Sequence, residues 1–144
     1  LPSSLPILYQ ALKNQEADLI VGNRFLHSTP YHPSFPRRLG MKMFSGVVRL
    51  LTKVPLFDTT SGFQGMTKPL YEWYTEEHFP RDFPDADILI RTHFQGFRIR
   101  EVPAEMKIPP GNISMHRGFL RPLYYVLKMW FSILQVFFRY RLWR

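Results

Sequence analysis

The stretch Ala17-Asp18-Leu19-Ile20-Val21-Gly22-Asn23-Arg24-Phe25 decides the fold class. Its apolar core runs on without polar alternation and closes on Gly. That pattern predicts a short strand buried on both faces, of the kind found in parallel or mixed sheets covered by helices. Just before it, Ser3 and Ser4 are placed to cap a helix running to about Asn14, with Pro6 in its first turn. A helix feeding a buried strand is the alternation of an α/β domain. Ligands of open α/β sheets bind outside the carboxyl ends of strands, so Gly22-Asn23-Arg24 stands where a site is expected. The planar guanidinium of Arg24 suits a phosphate, and a salt bridge within the loop is the alternative.

Further along, Asn23 to Pro36 reads as a polar, proline-containing loop. Leu39, Met43, Val47, Leu50 and Leu51 recur at helical spacing and predict a helix over Arg37–Lys53. Val54–Gly62 is a connection, and Phe63–Met66 a short strand. Thr67 is placed to cap a helix to about Glu76, with Pro69 inside its first turn. A further helix is expected over Asp85–Gln95, ended by Gly96. A strand is expected over Phe97–Met106, with Pro103 marking an edge. Pro109-Pro110-Gly111-Asn112 reads as a turn.

The 144 residues are 45% hydrophobic and 21% charged, enough apolar content for a packed core. There is no cysteine, which excludes disulfides, thiolate metal sites and cysteine nucleophiles. Net charge is +8, and its placement is uneven. Leu1–Glu105 carries 12 Lys and Arg against 11 acids, whereas Met106–Arg144 carries 7 and no acid. In Arg117–Arg144 the basic residues Arg121, Lys128, Arg139, Arg141 and Arg144 alternate with Trp, Tyr, Phe and Leu. The longest charge-free run, Met129–Phe138, would make about 15 Å of helix, roughly half the hydrocarbon thickness of a bilayer. The expectation is a helix lying in the membrane interface, with Trp130 and Phe137 toward lipid. A core helix is the alternative. Dilution of the basic residues by aliphatics argues against a nucleic-acid partner.

No phosphate loop, dinucleotide fingerprint or nucleophile elbow is present. Histidines 27, 32, 78, 93 and 116 are scattered. Three further constellations carry chemistry. Arg37-Arg38 opens a helix and makes an anion cradle or plain surface charge. Asp58-Thr59-Thr60-Ser61-Gly62-Phe63 reads from its residues as a tight loop bonding its own side chains, or as an active-site floor in which Asp58 orients a partner. Asp85-Ala86-Asp87 is literally D-x-D, but it precedes its apolar run rather than ending one. It therefore fits a helix start whose acids face a site as general base, rather than a metal motif. The active-site reading places Asp58–Phe63 beside Arg24 and Asp87, on one side of a cleft.

Taken in order, Ala17–Phe25, Pro36-Arg37-Arg38, Asp58–Phe63, Gly96–Pro103 and Gly111-Asn112-Ile113-Ser114-Met115-His116 resemble family 2 glycosyltransferases, in the branch similar to dolichyl-phosphate-mannose synthases. The resemblance implies an α/β fold of the GT-A kind, here in part: a mixed sheet with flanking helices and a C-terminal amphipathic helix. It implies a nucleotide-diphospho-sugar donor, a divalent cation (Mg or Mn) and a polyprenyl-phosphate or saccharide acceptor. The donor half and the main metal ligands are expected upstream of Leu1. Residues 1–116 then form the acceptor-side part of the catalytic domain, and 117–144 a membrane-surface helix on the cytoplasmic face. By the same resemblance Arg24 and Arg38, with Arg37, Ser61 and Arg117, contact acceptor or phosphate. Asp87, Asp85 and Asp58 are the catalytic acids. Met41 stands where the branch often has Ser. The fragment alone is expected to be inactive. A different class, a non-catalytic peripheral membrane or partner-binding module, is the alternative reading.

Overall fold

The structure, a computed structural model, describes residues 3–26, 35–78, 86–105 and 120–142. Its elements follow in the order α1 (Leu5–Lys13), β1 (Leu19–Asn23), α2 (Phe35–Thr52), β2 (Gln64–Met66), α3 (Lys68–Trp73), a π-helical turn (Tyr74–His78), α4 (Ala86–Phe94), β3 (Ile99–Pro103) and α5 (Leu120–Leu142). Among the described residues the sheet has three strands in the order β2-β1-β3. The central strand β1 runs antiparallel to β2, with Ile20 opposite Gly65, and parallel to β3, with Val21 opposite Glu101. It is buried along its whole length, as its unbroken apolar run requires.

Alternation along β1 divides the core. Leu19 and Val21, with Ile99 of β3, face a cluster built from Phe44 and Val48 of α2, Ile88 to Ile90 of α4, and Met129 and Ile133 of α5. Ile20, with Val102 of β3, faces Leu8 and Ala11 of α1. Helices thus cover both faces of a mixed sheet, and the chain is α/β. Gly22 is required by close approach, because a Cβ there would stand 2.5 Å from Phe63 Cδ1 and 2.8 Å from Ala104 Cβ. Gly96 ends α4 at φ +97°, a left-handed conformation that glycine adopts without steric cost.

Several local expectations change. Ser4 occupies the N-cap position of α1 but makes no side-chain cap. Its Oγ instead accepts the Glu105 N–H at 2.8 Å, tying α1 to the residue chain beyond β3. Thr67 likewise makes no side-chain cap. Its own N–H is spent on the Asp18 carbonyl at 2.9 Å, which extends the β1–β2 pairing. The helix after it ends at Trp73, and the chain continues as the π-helical turn, where Tyr74 is buried and bonded to Thr92 of α4 at 2.8 Å. The turn expected over Pro109–Asn112 lies outside the described residues.

The C-terminal helix carries two apolar faces. One holds Met129 and Ile133, with Val126, Trp130 and Val136 beside them, and packs into the core. Trp130 sits 6.4 Å from the Phe44 ring, and both Trp130 and Phe137 are half-buried. They do not form the outward surface expected from the sequence. That surface is a second stripe, Tyr124, Leu127, Phe131, Leu134 and Phe138, all exposed. Among the described residues no helix is long and apolar enough to cross a membrane.

Candidate functional site

The carboxyl end of β1 delivers Asn23 and Arg24 into a buried polar network. Arg24 Nε donates to Asp58 Oδ2 at 2.7 Å, and Nη2 donates to Asp58 Oδ1 at 2.6 Å. The Arg24 backbone N–H adds a third bond to Oδ2 at 3.0 Å, and Thr60 Oγ1 accepts from Nη2 at 2.8 Å. The two side chains are 7% and 0% exposed. A charge pair this far from water holds only when the lone pairs and protons are satisfied, as they are here by fork-on-carboxylate geometry.

Glu101 of β3 completes the network from the other side. Its Oε1 accepts the backbone N–H groups of Phe57 and Asp58, both at 2.6 Å, and its Oε2 accepts from Asn23 Nδ2 at 2.5 Å. Burial raises the Glu101 carboxyl above its ordinary range. The three donors oppose that shift, and the neighbouring Asp58 carboxylate adds to it. The segment Asp58–Phe63 is a tight loop closed on itself. Ser61 N–H reaches the Asp58 carbonyl at 3.3 Å, and Ser61 Oγ accepts the Phe63 N–H at 3.4 Å. Ser61 is buried and directs its hydroxyl into the loop.

Asp87 lies in the first turn of α4 and faces α5. Ser132 Oγ donates to Asp87 Oδ2 at 2.5 Å. Asp87 Oδ1 is buried with no hydrogen-bond partner among the described residues. The residue lines a groove of about 370 Å³ between the two helices, shared with Arg91, Ser132, Gln135, Arg139 and Tyr140. Arg91 rests over the Trp73 ring at 5.6 Å. Tyr140 donates to Gln95 Oε1 at 3.3 Å and stacks on Phe94 at 5.8 Å.

Of the residues expected at a site, the structure joins Arg24 to Asp58 and leaves Asp87 engaged with α5. Arg38 is exposed on the first turn of α2. The side chain of Arg37, and all of Asp85 and Arg117, lie outside the described residues. Among the described residues no three His, Asp or Glu side chains are grouped to hold a metal ion. Sequence reasoning missed Glu101 and the groove residues Arg91, Ser132, Gln135 and Arg139. A signal for Glu101 was present: alternation from Ile99 puts this acid on the strand face turned to the core.

No family model matches the chain. Over 132 residues it is 24% identical to glycosyltransferase AglD of Haloferax volcanii, a match covering 88% of this chain. The chain spans only about 20% of that protein's length. A likeness that runs through nearly all of this sequence supports a relationship to glycosyltransferases.

Proposed function

We propose that the chain is the acceptor-side part of a GT-A glycosyltransferase of family 2, moving a sugar from a nucleotide-diphospho-sugar to a lipid-linked or saccharide acceptor at a membrane surface. The likeness to a glycosyltransferase across 88% of the chain carries this reading. Donor and divalent cation are assigned to polypeptide outside these residues. When bound, the cation would neutralise charge on the departing diphosphate. The described residues lack a ligand set for it, and no step below runs through it.

The chain's own residues supply positioning and proton transfer. The Arg24–Asp58–Glu101 network holds the end of β1 and the Asp58–Phe63 loop in one arrangement. Arg24 and Asp58 therefore act as a positioning pair, and Arg38 is the exposed cation for an acceptor phosphate. A hydroxyl acceptor needs a base. Asp87 fits that role, as a carboxylate that lines the groove between α4 and α5 and has one oxygen held by Ser132. The exposed apolar stripe of α5, with Lys128 and Arg139 also exposed on the helix, supports an interfacial position on an anionic, cytoplasmic leaflet.

The test is transfer of labelled sugar by the full polypeptide from a panel of nucleotide-diphospho-sugars to membrane extracts and saccharides. Asp87→Asn is expected to lower transfer by about 100-fold or more, with circular dichroism unchanged. Absence of transfer from every donor, or full activity of Asp87→Asn, overturns the reading. Residues 1–144 alone are expected to give no turnover.

A further inference from the structure

We infer that α2 is a second membrane-contact element, and that the layer of α2, α4 and α5 lies flat on an anionic leaflet with the α1 face turned to water. The inference rests on the interfacial position proposed above for α5, and adds to it a second contact and an orientation.

Charge in the described residues is divided between the two sides of the sheet. The helices packed on the Leu19 and Val21 face carry four Lys or Arg in α2, one in α4 and four in α5. Their one acid is Asp87, half-buried and bonded inward to Ser132. Other acids sit around α1 and the edge strand β3. Glu16 pairs with Arg100, Asp18 with Arg98 at 3.4 Å, and Glu105 accepts from Ser3 Oγ at 3.3 Å. The cationic surplus therefore belongs to a whole helical layer, in which α2 contributes as many cations as α5.

The 18 residues of α2 make a rod of about 27 Å. Met41, Phe44 and Val48 are its buried side. At about 100° per residue the opposite side divides into two lanes. One is apolar: Leu39 and Leu50, 59% and 66% exposed, with Gly46 between them. The other holds Arg38, Lys42 and Arg49, all exposed. Arg49 is laid over the Phe57 ring at 4.6 Å, and Arg38 and Lys42 make no ion pair among the described residues. Leucines beside cations along an acid-free helix match a leaflet surface, where the acyl boundary takes the leucines and lipid phosphates take the cations. A nucleic acid would set its phosphates against the leucines as well.

The outward face of α5 has the same makeup, with Leu127, Phe131 and Leu134 beside Lys128 and Arg139. Both helices pack on α4, in which no residue is exposed, and Phe44 of α2 meets Trp130 of α5 at 6.4 Å between ring centroids. With α4 recessed between them, the two outward faces turn away from the sheet on one side. A domain held along two helices resists rolling about either axis, which fixes how it lies.

The test reads immersion residue by residue. Residues 1–144 contain no cysteine, so a nitroxide can be placed at single introduced cysteines in the full polypeptide. Vesicles of phosphatidylcholine, alone or mixed with phosphatidylglycerol, are the probe. Collision with oxygen, which enters lipid, is compared with collision with a nickel chelate, which stays in water. Labels at Leu39→Cys, Leu50→Cys and Phe131→Cys are expected to favour oxygen on the mixed vesicles. Labels at Tyr9→Cys on α1 and Tyr71→Cys on α3 are expected to favour nickel. Adding Lys42→Glu should lower the ratio of immersed to free label at Leu50 by about fivefold or more. Arg38 is left unaltered because it is assigned to the acceptor. Immersion at Phe131 with Leu39 and Leu50 as open to nickel as Tyr9 overturns this inference and leaves the interfacial position of α5 standing. Labels at Leu39 and Leu50 shielded from both reagents without vesicles also overturn it, since a protein surface then covers the face. So does immersion that Lys42→Glu and the removal of anionic lipid leave unchanged. Sugar transfer assayed on the same samples reports separately on the transferase reading: an immersed α2 in a polypeptide that transfers no sugar supports this inference and counts against that reading.

Discussion

Arg24 and Asp58, 34 positions apart, meet through two side-chain hydrogen bonds of 2.7 and 2.6 Å, with both groups withdrawn from solvent. The first cation after the central strand is thereby an internal strut, joining the end of β1 to the connection between α2 and β2. This changes what substitutions there should do. Removing one partner strands a buried charge, and the consequence is a loss of stability before it is a loss of ligand binding.

Asp58→Ala is accordingly expected to destabilise the protein by about 3–5 kcal/mol, the usual cost of breaking a buried ion pair from one side. The double variant Arg24→Met/Asp58→Leu should recover most of that loss, because it leaves no unpaired charge. Urea unfolding of the three proteins measures this directly. A single-variant cost below about 1 kcal/mol would show that the pair is not what holds the loop.

Glu101 gives a pH dependence whose sign is fixed by its raised carboxyl. The folded state binds this proton more strongly than the unfolded chain does. Its stabilising contribution is therefore full below the ordinary glutamate value of 4.5 and is lost as pH rises through the higher folded value. Wild-type stability should fall relative to Glu101→Gln as pH is raised from about 4 toward neutrality. Parallel stability curves for the two proteins across that range would contradict the assignment.

Gly22 tests the packing at the strand end. Gly22→Ala places a Cβ against the Phe63 ring and the Ala104 methyl, and overpacking of this kind costs about 1–3 kcal/mol. The Gly22 N–H also donates to the Phe63 carbonyl at 2.8 Å, so strain should spread into the Asp58–Phe63 loop. An unchanged denaturation midpoint is the result that would rule this out.

The two faces of α5 predict separable effects on membrane binding. Phe131→Ser with Leu134→Ser should lower sedimentation with both neutral and anionic vesicles and leave unfolding nearly unchanged, since both side chains are exposed. Arg139→Glu should weaken only the anionic arm, and only at low salt. Ile133→Ser, on the buried face, should unfold the domain instead. A stripe variant that sediments like wild type would assign the outward face to another partner.

What could be read from the sequence was whatever local pattern encodes. The unbroken run Leu19–Val21 gave the central strand and the α/β class, and the hydroxyls around Asp58 gave a self-bonded loop. Helical period located α2 and α5 but could not orient α5. Val126, Met129, Ile133, Val136 and Tyr140 repeat at three- and four-residue steps, and so do Tyr124, Leu127, Phe131, Leu134 and Phe138. Either set makes an inward face, and only packing against Phe44 and Ile88 chooses between them. Pairings across distance were also out of reach. Nothing near Arg24 announces Asp58, and nothing near Asp87 announces Ser132, 45 positions away.

The parallel pairing of β1 with β3 has a consequence for how the chain reaches its native state. Asn23 and Glu101, bonded to each other, are 78 positions apart, and α2, β2, α3 and α4 all lie between them. Contacts of such long sequence separation close large loops before they return any stabilisation, and they slow folding. The buried network at the end of β1 needs three remote segments at once, so it belongs among the last structure to form. Substitutions in it should mainly speed unfolding and leave the early folding rate little changed.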